Sequence, residues 1–317
     1  MSMGAREDGE AEPLAHDRAQ PEANGQLVGI GPNLRRFVAD NPGPFTFTGT
    51  CAYVLGMGNA PGKVAVIDPG PDDPDHVSAL LHALRGETVS HIIVTHTHRD
   101  HSPAARALKA ATGAPIWGCG PHVAARELAL GEINRLDAAG DKEHAPDVVL
   151  HEGDMVEGDG WRLEAIETPG HTANHLAFAW PDQDMLFSGD HVMAWSTSIV
   201  APPDGSMAQY MASLEKLRGR AESRFWPGHG GAVSEPQRYL RALIHHRRQR
   251  EASILTRLRA GDRTIPEIVA QIYQGLDPRL TGAAALSVFA HLEELSGRGL
   301  VRAAEGGLGL EGLFEAV

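Results

Sequence analysis

The chain predicts an α/β fold followed by a separate helical subdomain, and three observations carry that expectation. Short apolar runs bounded by Gly and Pro recur between residues 46 and 95 and again between 148 and 189, the pattern of strands. Segments with apolar residues at helical spacing stand between and after these runs, so strand and helix alternate. Beyond Pro236 the character changes to long helical stretches, the first of them rich in arginine.

Taken in order, residues 1–26 are polar, acidic and rich in Ala, Gly and Pro, and read as a flexible leader without a signal-peptide run. Ordered structure is expected from Leu27, with a first domain over 27–235. FTFTGTCAYVLG and GKVAVIDPG read as strands, and DPDHVSALLHALRG as a helix with acidic residues and Pro at its start and Gly86 as its stop. SHIIVTH is a nearly continuous apolar run, as in a strand buried on both faces. SPAARALKAATG then opens a helix with Ser102 as N-cap and Pro103 in the first turn. PIWGCG reads as a short strand, 121–131 as a helix and 134–147 as a polar loop. DVVLHEGD, GWRLEAIETPG, NHLAFAWPD and DMLFSGD are strands, followed by a helix over 207–217 and the short strand SRFWPGHG. Residues 236–317 predict one long helix, PQRYLRALIHHRRQREASILTRLRAG, two more near 264–274 and 281–298, and a small β element at GLVRAAEGG.

Composition sets bounds on function. The chain has 317 residues and a formal net charge of -13, which argues against a protein that coats nucleic acid without specificity. Two cysteines, Cys51 and Cys119, are too few for a disulfide framework and fit a reducing compartment, so a cytoplasmic location is expected. No apolar run approaches the roughly 20 residues of a membrane span, and no membrane partner is expected.

The chemistry concentrates at VTHTHRDHSPAA, residues 94–105, where His96, His98, Asp100 and His101 crowd behind an apolar strand. In a packed core each would need a partner. The stretch is therefore either a solvated loop or the wall of a cation site, and it lies at a strand's carboxyl end, where open α/β sheets place ligands. Further polar residues recur at other strand ends: His171 in ETPGHTANH, Asp190 in LFSGDHV and His229 in FWPGHGG. Five imidazoles and two carboxylates converging on one edge would suit two divalent ions, chiefly Zn²⁺, with Mn²⁺ or Fe²⁺ acceptable to the same donors. Two such ions roughly 3.5–4 Å apart share a water, lower its pKa towards neutrality and polarise a carbonyl or phosphoryl oxygen. Asp100 is placed to orient that hydroxide as the catalytic carboxylate. No Ser or Cys stands beside a base as acyl-enzyme chemistry requires. Arg99, inside the loop, is a candidate contact for an anionic substrate. His175 and His191 neighbour these motifs and read as supporting or solvent-facing groups. His91 and His122 read as surface or capping residues, and Cys51 as a small buried filler.

THTHRDH followed by PGHT, SGDH and PGHG, with GTCAYVLG and VIDPG before them, resembles the metallo-β-lactamase superfamily over roughly residues 27–235. The resemblance implies a four-layer αββα sandwich of two mixed sheets between helices. It implies His96, His98 and His171 on one ion, Asp100, His101 and His229 on the other, Asp190 bridging both, and Asp68 supporting the site from behind. True β-lactamases of this superfamily carry Cys or Ser at the position of Asp190, so lactam hydrolysis is not expected. The tail segments HHRRQREASIL, TIPEIVAQIY and ALSVFAHLEELSGRGLV resemble the winged-helix extension of the β-lactamase-like 2 group, which includes endoribonucleases acting on single-stranded RNA. That group's first motif ends in a Gly pair where this chain has Pro103 and Ala104, a departure expected to alter only the helix start. The arginines from Arg247 to Arg259 read either as a solvated face or as contacts for a phosphate backbone. The expectation is a dinuclear hydrolase whose substrate is a small-molecule ester or thioester, or single-stranded RNA as phosphodiester. A non-catalytic, metal-braced interaction module is the alternative. A homodimer formed through the tail is a further reading.

Overall fold

A computed structural model describes residues 13–19, 23–56, 62–129, 132–135, 137–304 and 307–317. Residues 1–12 and 20–22 of the expected leader lie outside them. Within 13–19, Leu14 packs partly buried against the domain and the Asp17 N–H donates to Ala194 O at 2.9 Å.

The first sheet contains β1 (Leu27–Gly31), β2 (Leu34–Val38), β3 (Cys51–Leu55), β4 (Lys63–Ile67), β5 (Thr88–Val94), β6 (Ile116–Gly118) and β7 (Val148–Val149), ordered as in sequence. It is antiparallel from β1 to β4 and parallel from β4 to β7. Helices α1 (Pro74–Ala83) and α2 (Ala104–Thr112) make the parallel crossovers on either side of β5. The second sheet contains β8 (Met155–Gly158), β9 (Trp161–Glu167), β10 (Leu176–Trp180), β11 (Met185–Gly189) and β12 (Arg224–Pro227) in the order β12-β11-β10-β9-β8. Only β11 and β12 pair in parallel, because α3 (Met207–Arg218) carries the chain back between them.

Period-two patterning explains the layers. Leu176, Phe178 and Trp180 of β10 point into the core shared with β2 to β5, while Ala177 and Ala179 face the opposite way towards α3 and α4 (Pro236–Arg259). The small alanines let helices approach the outer face, and the large side chains fill the space between the sheets. The result is the four-layer sandwich, with α1 and α2 outside one sheet and α3 and α4 outside the other.

Helix α4 serves two cores. Leu240, Leu243 and Ile244 in its first turns join the layer over the second sheet, whereas Ile254 and Leu258 pack with α5 (Ile265–Ile272) and α6 (Thr281–Gly297). Phe314 of β14 (Phe314–Ala316), paired with β13 (Val301–Ala303), completes that third core. Thr264 and Glu267 form a reciprocal capping box at the start of α5. No helix among the described residues is long and apolar enough to cross a membrane.

Four local expectations are corrected. The described part of 121–131 is irregular: the Ala125 N–H donates to Pro203 O, and the Arg126 side chain spans Glu132 and Glu293, so tertiary partners replace helical ones. Strand β3 starts only at Cys51, because Phe47 takes a left-handed conformation (φ 56°) and Gly49 turns tightly against Ala39. DVVLHEGD splits into β7 and β8 around a turn in which the Asp154 carboxylate accepts from the His151 N–H. Ser102 is not the N-cap of α2; Pro103 takes that place without a side-chain bond, and Ser102 Oγ donates instead to Asp141 Oδ2 at 2.7 Å.

Because α4 couples the two cores, Leu243→Ala and Leu292→Ala are each expected to cost about 2–5 kcal/mol. Both should lower one shared calorimetric transition. A separate early transition in Leu292→Ala alone would make the tail an independent unit.

Candidate metal centre

Strand direction assembles the site. β4 and β5 run parallel, β9 and β11 run parallel through their common neighbour β10, and β12 runs with β11. The residues just past their carboxyl ends, Asp68, His96–His101, His171, Asp190 and His229, therefore reach one rim. Thr50 and His229 form an isolated antiparallel bridge, and the Cys51 N–H donates to Gly228 O at 2.7 Å, which ties the two sheets together there.

All seven residues anticipated from the strand-end motifs come together. His98 Nδ1 lies 3.2 Å from His96 Nε2 and 2.9 Å from His171 Nε2. In a second group, His101 Nε2 and His229 Nε2 are 3.2 Å apart, and Asp100 Oδ2 is 3.3 Å and 3.1 Å from them. Asp190 stands between the groups, with Oδ2 3.2 Å from His229 Nε2 and 3.7 Å from His171 Nε2. Within each three-residue group the donor atoms lie within 4.8 Å of one another. Nitrogens facing nitrogens at such distances cannot all satisfy each other with protons. Asp190 Oδ1, moreover, is buried without a hydrogen-bond partner. This donor set fits divalent cations with nitrogen and oxygen preference.

The outer nitrogens are held from behind. Asp68 accepts from the Thr95 N–H (2.8 Å), Thr95 Oγ1 (2.7 Å) and His101 Nδ1 (3.0 Å) while its own backbone sits in the left-handed region at φ 48°. Those three bonds hold it in a sparsely populated conformation and turn His101 Nε2 into the site. His171 Nδ1 donates to Ile199 O (2.6 Å) and His229 Nδ1 to Gly49 O (3.2 Å), with the same effect. Gly228 is a close-approach position: a Cβ there would lie 2.4 Å from Asp190 Oδ1 and 2.5 Å from His101 Cε1.

The electrostatics divide the site. Burial pushes His96 and His171 down and His98 to about 3, so these imidazoles are neutral with lone pairs available. Burial alone would raise the Asp100 and Asp190 carboxyls, but His101 and His229 beside them hold both well below the usual range. Conversely, Asp100 and Asp190 overcome burial to lift His101 well above its ordinary value and His229 to about 9. Positive charge is thus favoured in the half of the rim where the carboxylates sit.

Further residues support the rim, among them His175, which the sequence left as supporting or solvent-facing. His175 is buried, with Nδ1 on Thr168 Oγ1 (2.8 Å) and Nε2 accepting the Asp190 N–H (3.2 Å). Ser198 Oγ lies 2.5 Å from Asp190 O and 2.9 Å from His191 O, and the buried Arg247 of α4 donates to Ser198 O. The Arg247 guanidinium also stacks 5.0 Å over Tyr210, whose hydroxyl donates to His191 O at 3.0 Å. His191 itself is buried and belongs to neither donor group. His122 opens no helix; its Nδ1 lies 2.9 Å from Thr97 Oγ1. His91 packs between Trp117 and Trp161, and Cys51 is buried, as a filler would be. Arg99 is exposed, its N–H bonded to Ala139 O. Ser198 and Arg247 have no motif of their own, and their place behind the rim is set by contacts distant in sequence.

Residues 46–229 match the family described as Metallo-beta-lactamase superfamily, and residues 264–308 match the Beta-lactamase associated winged helix domain. The chain is 29% identical over 282 residues to the Beta-lactamase-like protein 2 homolog of Drosophila melanogaster, covering 84% of this chain and 89% of that one. It is 27% identical over 290 residues to a Passalora fulva protein named Atrochrysone carboxyl ACP thioesterase, covering 86% of this chain and 78% of that one. A solved beta-lactamase domain protein from Burkholderia ambifaria shares the fold, with a TM-score of 0.75 over 96% of this chain and 97% of its own, at 19% identity. With its sandwich, its rim of histidines and aspartates and a family match over more than half its length, the chain belongs to the metallo-beta-lactamase superfamily and is a metal-dependent hydrolase bearing a winged-helix domain.

Proposed function

We propose that the protein is a dinuclear metal-dependent hydrolase of carboxylic thioesters or esters. The observation that supports this most directly is the placement of Asp190 Oδ2 within 3.7 Å of a nitrogen from each donor group. In this reading His96, His98 and His171 hold one ion, Asp100, His101 and His229 hold the other, and Asp190 spans both. Bound there, two divalent ions, zinc in the first instance, would supply activated water and polarise the scissile carbonyl. Asp100, partly exposed and fixed by a 3.1 Å bond from Thr50 Oγ1, orients the attacking water through its carboxylate. Asp68 keeps His101 in the tautomer that presents Nε2. Arg99 meets an anionic group of the substrate.

The choice of an acyl substrate over RNA rests on the arginines of α4. Arg247 is buried against Tyr210, Arg248 pairs with Glu215 (3.0 Å), Arg250 stacks on Tyr273 and donates to Ile272 O (3.1 Å), and Arg257 pairs with Asp262 (2.6 Å). Their charges serve the fold, which removes most of the sequence-level support for a phosphate-binding face. The thioesterase name of the Passalora fulva relative favours the acyl reading. The complete donor set disfavours the non-catalytic module.

Assays on a thioester, an aryl ester and a fluorogenic single-stranded RNA, with and without Zn²⁺, test this directly. Chelator-sensitive turnover of the thioester, with little RNA cleavage, is the expected result; the opposite ranking would restore the nuclease reading. Asp190→Asn should keep a wild-type circular dichroism spectrum and lose turnover by about 100-fold or more, and Asp68→Asn should lower metal affinity by about 10–100-fold. Gly228→Ala, which drives a methyl into the Asp190 carboxylate, should fold and bind fewer ions per chain by elemental analysis.

A further inference from the structure

Away from the rim, α4 and α6 close on a second set of donors. His291 and Glu294 stand three positions apart on α6, hence on one helix face, and Glu251 meets them from α4. Their donor atoms lie within 4.8 Å of one another. His291 is 2% exposed, yet neither ring nitrogen has a hydrogen-bond partner. Buried polar groups are ordinarily paired, so an imidazole with both nitrogens unsatisfied needs a physical reason.

The surrounding charges point to what would satisfy it. Glu251 and Glu294 share one cation, Arg298, whose Nη1 is 2.8 Å from Glu251 Oε2 and 3.6 Å from Glu294 Oε1. Of the other basic groups lining the cleft, Arg248 pairs with Glu215, and Arg247 donates to Ser198 O and stacks on Tyr210, both neutral groups. Burial, followed by the Glu251 charge, pushes the Glu294 carboxyl up, and burial, followed by the Arg247, His246 and Arg250 charges, pushes His291 down to about 3. The cluster thus holds two carboxylates and a neutral imidazole whose ring nitrogens are both unpaired, on a cleft of about 450 Å³. The Arg298 side chain is 47% exposed, so it can swing aside at little cost.

We propose that Glu251, His291 and Glu294 form a second metal site, taking one divalent cation of the zinc or manganese class between α4 and α6. One imidazole and two carboxylates suit such ions and leave positions for water. The site shares no residue with the rim and stands whether or not the rim is dinuclear.

Crystals of the full-length protein and of its Asp190→Asn, His291→Gln and Glu294→Gln variants, soaked in Zn²⁺ alone, test it by anomalous scattering at the zinc edge. The expected result is a peak bounded by Glu251, His291 and Glu294 in the wild type and in Asp190→Asn, and its loss in the other two. Elemental analysis in solution should then count one zinc fewer per chain for His291→Gln and for Glu294→Gln. If one of these fails to fold, the other decides. No peak in the wild type, or a peak that survives both α6 substitutions, overturns the proposal. So does a parallel phosphate soak that places the anion against Arg247, whose Nε is also unpaired, with no zinc bound. Failure of the hydrolytic reading would appear separately, as absent zinc at His96 and His229.

Discussion

Charge balance at the rim governs the rest of the molecule. Three carboxylates, Asp68, Asp100 and Asp190, are brought against imidazoles where little solvent reaches, and such a cluster persists only if each charge finds an opposite. The fold meets this by using both ring nitrogens of His101, His171 and His229. One nitrogen is tied to a backbone carbonyl or to Asp68, and the other is released inward. The parallel pairs β4–β5 and β11–β12 bring strand ends carrying these residues side by side.

Much of this was written in the chain. The seven rim residues announce themselves because each follows an apolar strand run and sits among small residues, whereas Asp68 was named only by the family resemblance. Period-two alternation in LAFAW explains the sandwich as well as the strand. What escaped was set by contacts distant in sequence. Residues 121–131 have helix-forming composition, but the described part, 121–129, is irregular, and Arg126 within it bonds to Glu293 on α6, far along the chain. His175 read as supporting or solvent-facing and His122 as surface or capping, because a lone histidine carries no spacing signal that names its partner. Their partners, the Asp190 N–H and Thr97 Oγ1, are visible only after folding. The arginines of α4 left a solvated face and a phosphate contact equally open, and four of them, Arg247, Arg248, Arg250 and Arg257, have partners within the protein.

The winged-helix domain is joined to the hydrolase domain by more than a linker. Helix α4 supplies apolar side chains to both cores, Arg126 and Glu293 pin an irregular segment near the rim to α6, and Arg247 reaches Ser198. Ser198 in turn contacts the carbonyls of Asp190 and His191 through its hydroxyl. Two hydrogen bonds therefore lead from the tail's first helix to the main-chain carbonyl of Asp190, the residue at the centre of the rim.

That tether bears on how such proteins can be recombined. A chimera that exchanged the tail at the boundary suggested by composition would import a foreign α4 and leave the Ser198 carbonyl facing whatever side chain arrived at position 247. A graft that respects the chemistry would keep the first half of α4 with the recipient and cut beyond Arg247, where the helix has turned to serve its other core.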